Sequence, residues 1–124
     1  MEQKGFSLLE LIMALGILSF SLLALVNLSI TTMKANKYSQ NSTAALQLAQ
    51  EKMEALKSLP FNELTGGSET GLTTGTVRTL FRRETIVRRP DGSGLAEITV
   101  RVLWPSTINP GQSHAAEIFT KIAG

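Results

Sequence analysis

The sequence of 124 residues contains no cysteine, one histidine and little net charge, and each shortage excludes a class of protein. Without cysteine there is no disulfide scaffold, no thiol nucleophile and no thiolate metal ligand. A formal net charge of +2 is too small to indicate a nucleic-acid or acidic partner. His114 has no cysteine and no nearby acidic pair to complete a zinc or catalytic site, so we expect a solvent-exposed loop histidine. The sequence therefore predicts no enzyme activity, no metal site and no cofactor.

Charge is also missing from one long segment. Residues 6–30 contain no Lys, Arg, Asp, His or Pro, and Glu10 is the one ionisable side chain among them. A bilayer core of roughly 30 Å is spanned by about 20 apolar residues in a helix, so this segment is long enough to cross a membrane. A secretory signal has a shorter apolar region, of about 7–15 residues, and ends at a small-residue cleavage site. The segment therefore predicts a transmembrane helix.

The residues alone leave the orientation of this helix and the role of Glu10 open. Lys4 precedes the apolar segment, and Lys34 and Lys37 follow it, so the positive-inside rule does not decide the orientation. An unpaired carboxylate costs on the order of 2.5–3.5 kcal/mol at the bilayer centre and less near an interface. Glu10 therefore either reaches the headgroup region or pairs with a cation.

The N-terminus resembles the processing motif of type IV prepilins and type II secretion pseudopilins, on the letters KGFSLLE at residues 4–10. The shared order is a short charged leader ending in glycine, then phenylalanine, then an apolar helix with glutamate at its fifth residue. The resemblance implies that prepilin peptidase cuts between Gly5 and Phe6 and methylates the new amine of Phe6. It also implies that Glu10 attracts the cationic N-terminal amine of a neighbouring subunit.

The same resemblance implies a location and partners. The leader is expected in the cytoplasm and the C-terminal part in the periplasm, with the chain first in the inner membrane and then in a pilus or pseudopilus. The expected partners are prepilin peptidase, other pilin or pseudopilin subunits, the inner-membrane assembly platform and the lipid bilayer. Small residues such as Ala14 and Gly16 are expected to let neighbouring helices approach closely.

Beyond residue 30 the pattern becomes amphipathic, and one helix over residues 6–59 is the simplest interpretation, ended by Pro60. Apolar residues spaced mostly by three and four are expected to pack on the protein's own sheet: Ala35, Tyr38, Ala45, Leu46, Ala49, Met53, Leu56 and Leu59. Residues 61–76 are rich in glycine and predict a loop, without the ending of a phosphate-binding loop.

Three strands are expected after that loop, at residues 77–89, 95–104 and 115–123. The middle one alternates cleanly, so one of its faces should be buried: Ala96, Ile98, Val100, Val102 and Trp104. The densest basic cluster, Arg82, Arg83, Arg88 and Arg89, is interrupted by Glu84 and followed by Asp91. We expect a solvated or subunit-facing strand there and no nucleic-acid binding.

The predicted fold class is α+β, a pilin-like long N-terminal helix packed on an antiparallel sheet of about three strands. Its expected parts are a leader at residues 1–5, a transmembrane and assembly helix at 6–30, an amphipathic helical half at 31–60, and a loop with the sheet at 61–124. A helix of this kind is needed to cover one apolar face of so small a sheet.

The resemblance favours a minor type IV pilin, because residues 44–64 look like the helix exit of minor pilins of the PilV kind and of small minor pseudopilins. Major pilins commonly carry a proline near the position of Asn27 and a C-terminal disulfide loop, and this chain has neither. Two alternatives stay open. One is a minor pseudopilin of a type II secretion system, and the other is an uncleaved, membrane-anchored binding protein, regulator or enzyme.

Overall fold

The computed structural model describes residues 5–124, which form two compact units, residues up to 36 and residues 37–124. Helix α1, Leu8–Lys57, contributes to both units. A short 3-10 turn, Phe61–Glu63, and four strands follow: β1 Gly67–Thr74, β2 Val77–Arg88, β3 Leu95–Pro105 and β4 Ser113–Ala123. The first four residues of the expected leader lie outside the described part of the chain.

Helix α1 is two residues shorter at each end than the sequence predicts. It begins at Leu8 because the side chain of Ser7 caps its first turn. It ends at Lys57 because Leu59 precedes Pro60, and the residue before a proline is pushed out of the helical region. Pro60 itself is extended, with φ −58° and ψ 146°.

Within the first unit, every described side chain is exposed, and most are large and apolar. The helix is long and apolar enough to cross a membrane. Its hydroxyl groups donate hydrogen bonds to the carbonyl four residues earlier, as from Ser19 to Leu15 and from Ser21 to Ile17, both at 2.8 Å. These bonds leave few polar groups unsatisfied on a surface suited to hydrocarbon.

In the second unit, the strands form one antiparallel sheet in the order β1-β2-β3-β4. The expectation of about three strands is wrong by one, because β1 lies in the segment that the sequence predicts to be a loop. That strand consists of Gly, Ser and Thr apart from Glu69 and Leu72, and its pairing with β2 is irregular on both sides of Leu72. It therefore has neither the apolar content nor the alternation by which strands are recognised.

The core lies between the second half of α1 and one face of the sheet. The alternation predicted for β3 is confirmed, since all five of its expected inward residues are buried. The helix stripe is correct for Ala45, Ala49, Met53 and Leu56, which are buried, and wrong for Ala35, Leu46 and Leu59, which are exposed. Tyr38 is also exposed, but its ring packs on the sheet beside Trp104 and His114. The sequence pattern missed three buried helix positions, Asn41, Ala44 and Leu48. Asn41 is polar, but its Oδ1 accepts a 2.9 Å hydrogen bond from Thr79.

Candidate functional site

The segment Gly5-Phe6-Ser7 precedes helix α1 and has no regular secondary structure. Phe6 is 92% exposed, so its ring contributes nothing to a core. A Cβ added at Gly5 would meet no described atom within 4 Å. The fold therefore requires neither glycine nor phenylalanine here, and the Gly5–Phe6 peptide bond is accessible to an external enzyme.

Ser7 and Glu10 form a reciprocal capping box at the start of α1. The backbone N–H of Glu10 donates to Ser7 Oγ over 3.2 Å, and the backbone N–H of Ser7 donates to Glu10 Oε2 over 3.0 Å. Each bond satisfies a backbone donor that the first helical turn leaves without a partner. Among the ion pairs of residues 5–124, none includes Glu10. The negative charge on Glu10 therefore has no cationic partner within that part of the chain.

Ala14 and Gly16 are both exposed, but the helix does not place them on one face. At about 100° per residue, Ala14 lies roughly 40° from Glu10 around the axis, whereas Gly16 lies about 200° from Ala14. A Cβ at Gly16 would meet no atom within 4 Å. Glycine inside a helix costs about 1 kcal/mol relative to alanine, and no close contact among residues 5–124 offsets that cost.

The arginine cluster is divided between the two faces of the sheet, so the expectation of one solvated or subunit-facing strand is wrong for Arg83. Arg83 is buried on the helix-covered face, whereas Arg82 and Arg88 are exposed. Arg89 donates from Nη2 to the carbonyls of Phe61 at 3.0 Å and Leu64 at 2.7 Å, and so holds the 3-10 turn. The four guanidinium groups do not form one basic patch.

Arg83 belongs to a polar network that the sequence analysis missed. Its Nε donates to Glu69 Oε2 over 2.7 Å, its Nη1 donates to the Leu48 carbonyl over 3.0 Å, and Lys52 Nζ lies 3.6 Å from Glu69 Oε2. The hydrogen bond from Arg83 is the largest cause that lowers the pKa of Glu69, and burial opposes it. Glu69 lies in the segment predicted as a loop, so no sequence signal connected it to Arg83.

The expectation of a loop histidine is wrong, because His114 lies on β4, opposite Trp104. Its ring is half-buried, and its centroid lies 4.9 Å from that of Tyr38 and 5.6 Å from that of Trp104. These neighbours come from α1 and β3, which are distant in sequence. The residues just before 115 therefore show too weak a strand pattern for the sequence to place His114 in the sheet.

Comparison with known proteins gives one match. Residues 1–26 match the family model described as the prokaryotic N-terminal methylation motif. No curated protein and no solved structure matches the chain. The matched range contains Gly5, Phe6 and Glu10, together with the exposed apolar half of α1. Over these residues the chain is similar to type IV pilin-like proteins, and the matched segment leads into one long helix that packs on an antiparallel sheet.

Proposed function

We propose that this protein is a minor type IV pilin, a structural subunit that is incorporated into a pilus or initiates one. Residues 6–30 anchor it in the inner membrane, with the leader in the cytoplasm and the sheet in the periplasm. Prepilin peptidase cuts between Gly5 and Phe6 and methylates the Phe6 amine. The observation that carries the proposal is the methylation motif at residues 1–26, which ends in a helix with a fully exposed apolar surface.

The local geometry supports processing at Gly5. The peptide bond lies outside the helix, and both flanking residues are exposed. The fold requires neither the glycine at residue 5 nor the phenylalanine at residue 6. Recognition of these two residues in the site of a peptidase best explains why they are present. The Ser7 cap then fixes where the helix of the mature chain begins.

The exposed half of α1 supports assembly through helix packing. Full burial of one Leu, Ile or Phe side chain contributes about 1.5–3 kcal/mol, and this surface carries many of them. The surface is stable in lipid, and once it leaves the bilayer it requires other apolar helices. Packing against neighbouring pilin subunits would supply that environment, and Gly16 would allow one neighbour to approach closely.

Glu10 is placed to pair with the N-terminal amine of a neighbouring subunit. Its Oε2 accepts the bond from Ser7, and Oε1 makes no hydrogen bond among residues 5–124. The carboxylate can thus accept a charged amine without giving up the cap. Pairing would lower the cost of keeping Glu10 ionised in an apolar surrounding.

A minor pseudopilin of a type II secretion system remains a second candidate, because the matched motif fits both kinds of subunit. A strain lacking the protein separates them. Loss of surface pili with normal enzyme secretion supports the pilin, and the reverse result supports the pseudopilin.

Intact-mass spectrometry of the protein from cells that contain the peptidase tests the proposal against an uncleaved anchored protein. We expect loss of MEQKG and one added methyl group. Gly5→Val is the matched variant, because a Cβ at this position would meet no described atom within 4 Å, and it should remain unprocessed. Retention of Met1 in the native protein would remove the filament proposal.

A further inference from the structure

The two edges of the sheet differ in regularity. Strand β1 pairs with β2 through irregularities on both sides of Leu72, and such bulges discourage the pairing of an edge with another chain. Strand β4 pairs with β3 without a break from Ser113 to Ala123. The structure therefore protects one edge and leaves the other as a long, regular template.

The backbone hydrogen bonds just beyond the two ends of β4 show which of its N–H and C=O groups face outward. Gly124 N–H donates to Gly94 O over 2.8 Å, and Ser106 N–H donates to Gln112 O over 2.9 Å. Bonded and non-bonded pairs alternate along an antiparallel ladder, so the even-numbered residues of β4 bond to β3. The odd-numbered residues direct N–H and C=O to the open edge, and their side chains are exposed: Ser113, Ala115, Glu117, Phe119, Lys121 and Ala123.

We propose that β4 pairs antiparallel with β4 of a second copy of this chain, with Phe119 opposite Phe119 of that copy. In this register every hydrogen-bonded pair consists of odd-numbered residues, so the outward N–H and C=O groups meet. Glu117 then lies opposite Lys121 of the second copy, and Lys121 lies opposite its Glu117. Opposite charges that face each other across strands stabilise the pairing.

Charged residues on the outer face of the sheet, the face that α1 does not cover, extend this charge complementarity. Within one copy, Arg101 Nε lies 2.9 Å from Glu117 Oε2, and Lys121 Nζ lies 3.0 Å from Glu97 Oε1. In the pair, these contacts join into rows in which positive and negative groups alternate across both sheets. Charges on an edge strand ordinarily oppose pairing. Here a shift that centres the strands on residue 117 or 121 would oppose like charges, and a shift to 118 or 120 would leave both charges opposite uncharged residues. Opposite charges face each other only in the register centred on Phe119, so the charges favour it.

The contact is separate from the helix packing in the proposed function. An antiparallel pair of strands is related by a two-fold axis perpendicular to the sheet, so the helices packed on the two sheets run in opposite directions. A filament that grows with one polarity is built from head-to-tail contacts instead. The β4 pair would therefore join two copies that are not successive subunits of one filament.

Single cysteines test the register, because the natural chain has none. Full-length Phe119→Cys protein in detergent should form a disulfide dimer under mild oxidation, since facing Cα atoms in a bonded pair lie about 5.5 Å apart. Ala115→Cys and Ala123→Cys should not cross-link alone, because each residue would lie about 27 Å from its own copy along the strands. A mixture of these two should cross-link at least tenfold more than either alone. Equal cross-linking of all three single variants, or none for Phe119→Cys, would overturn the proposal.

Charge reversal tests the complementarity, with the Phe119→Cys cross-link as the measure. Glu117→Lys and Lys121→Glu should each lower the cross-linked fraction at least fivefold, because each creates facing like charges. Mixing the two proteins should restore it, since both facing pairs are then opposite in charge. The near-ultraviolet signal of Trp104 confirms that each variant is folded. Unchanged cross-linking in either reversed variant would contradict the pairing, and the result does not depend on cleavage at Gly5.

Discussion

Arg83 and Glu69 are joined by a 2.7 Å hydrogen bond, from Nε to Oε2, that links the buried face of β2 to the edge strand β1. The two side chains are unequally exposed, 7% for Arg83 and 42% for Glu69. Loss of Glu69 leaves a buried guanidinium with the Leu48 carbonyl as its remaining hydrogen-bond partner, whereas loss of Arg83 leaves a carboxylate that water can reach. The buried partner therefore makes this contact important for stability.

The Glu69→Gln variant should lower the free energy of unfolding by about 1–2 kcal/mol, because a buried charge loses its charged partner. Urea unfolding of the full chain in detergent, followed by Trp104 fluorescence, measures the loss. Glu117→Gln is the matched control, since it removes an exposed pair with Arg101 and should cost about 0–1 kcal/mol. Equal losses for the two variants would contradict this assignment.

Stability should also depend on Glu69 in acid. The pKa of Glu69 is lowered in the folded chain from an ordinary value of 4.5, so the folded state favours the ionised form. The resulting stability is present above pH 4.5 and is lost as the pH falls through the lowered pKa. Unfolding midpoints between pH 6 and pH 3 should fall more steeply for the native chain than for Glu69→Gln. Parallel pH curves would show that other groups determine the acid response.

Removal of the N-terminal cap should loosen the first turn of α1. Ser7→Ala removes the acceptor of the Glu10 N–H, at a cost of about 1 kcal/mol. Amide exchange at Glu10 in detergent should become roughly fivefold faster as a result. Ser19→Ala is the control, because that hydroxyl donates to a carbonyl and caps nothing. Unchanged exchange at Glu10 would show that the cap is not formed in solution.

The charge of Glu10 can be separated from its capping role. Glutamine also completes a capping box, so Glu10→Gln keeps both capping bonds and removes the charge. Glu10→Ala removes the charge and the acceptor of the Ser7 N–H, but it keeps the bond from the backbone N–H of residue 10 to Ser7 Oγ. We expect both variants to insert and to be cleaved, and both to be incorporated less into filaments. Cleavage is measured by intact mass, and incorporation by the amount in sheared filaments. Normal incorporation of both variants would exclude pairing with the neighbouring amine.

The missing side chain of Gly16 should favour the assembly, although it weakens the helix of the single chain. Gly16→Ala should stabilise α1 by up to about 1 kcal/mol, because alanine is the better helix former. Gly16→Leu should leave membrane insertion intact and lower incorporation several-fold, since a larger side chain keeps a neighbouring helix away. Leu15→Ile is the control for a change in shape at an exposed apolar position. Full incorporation of Gly16→Leu would show that no helix packs closely at this site.

The sequence predicts the features that repeat and misses those that depend on contacts between distant segments. The alternation in β3 is periodic and the apolar run in α1 is continuous, so both could be predicted from neighbouring residues. The capping box was not recognised, although Ser7 and Glu10 have the spacing that would have revealed it. Arg83, Asn41 and His114 are different, because each is positioned by partners at least ten residues away. Strand β1 was missed because its glycines are typical of a loop.

The spatial order of the strands repeats their order along the chain, and this has a consequence for the timing of folding. Each strand after β1 pairs with the strand synthesised just before it. Every hairpin therefore closes a short loop, and no strand pairing requires a segment that is distant in sequence. With no cysteine, no step requires an oxidant. The sheet can therefore form progressively as the chain is delivered, with β4 completing it last.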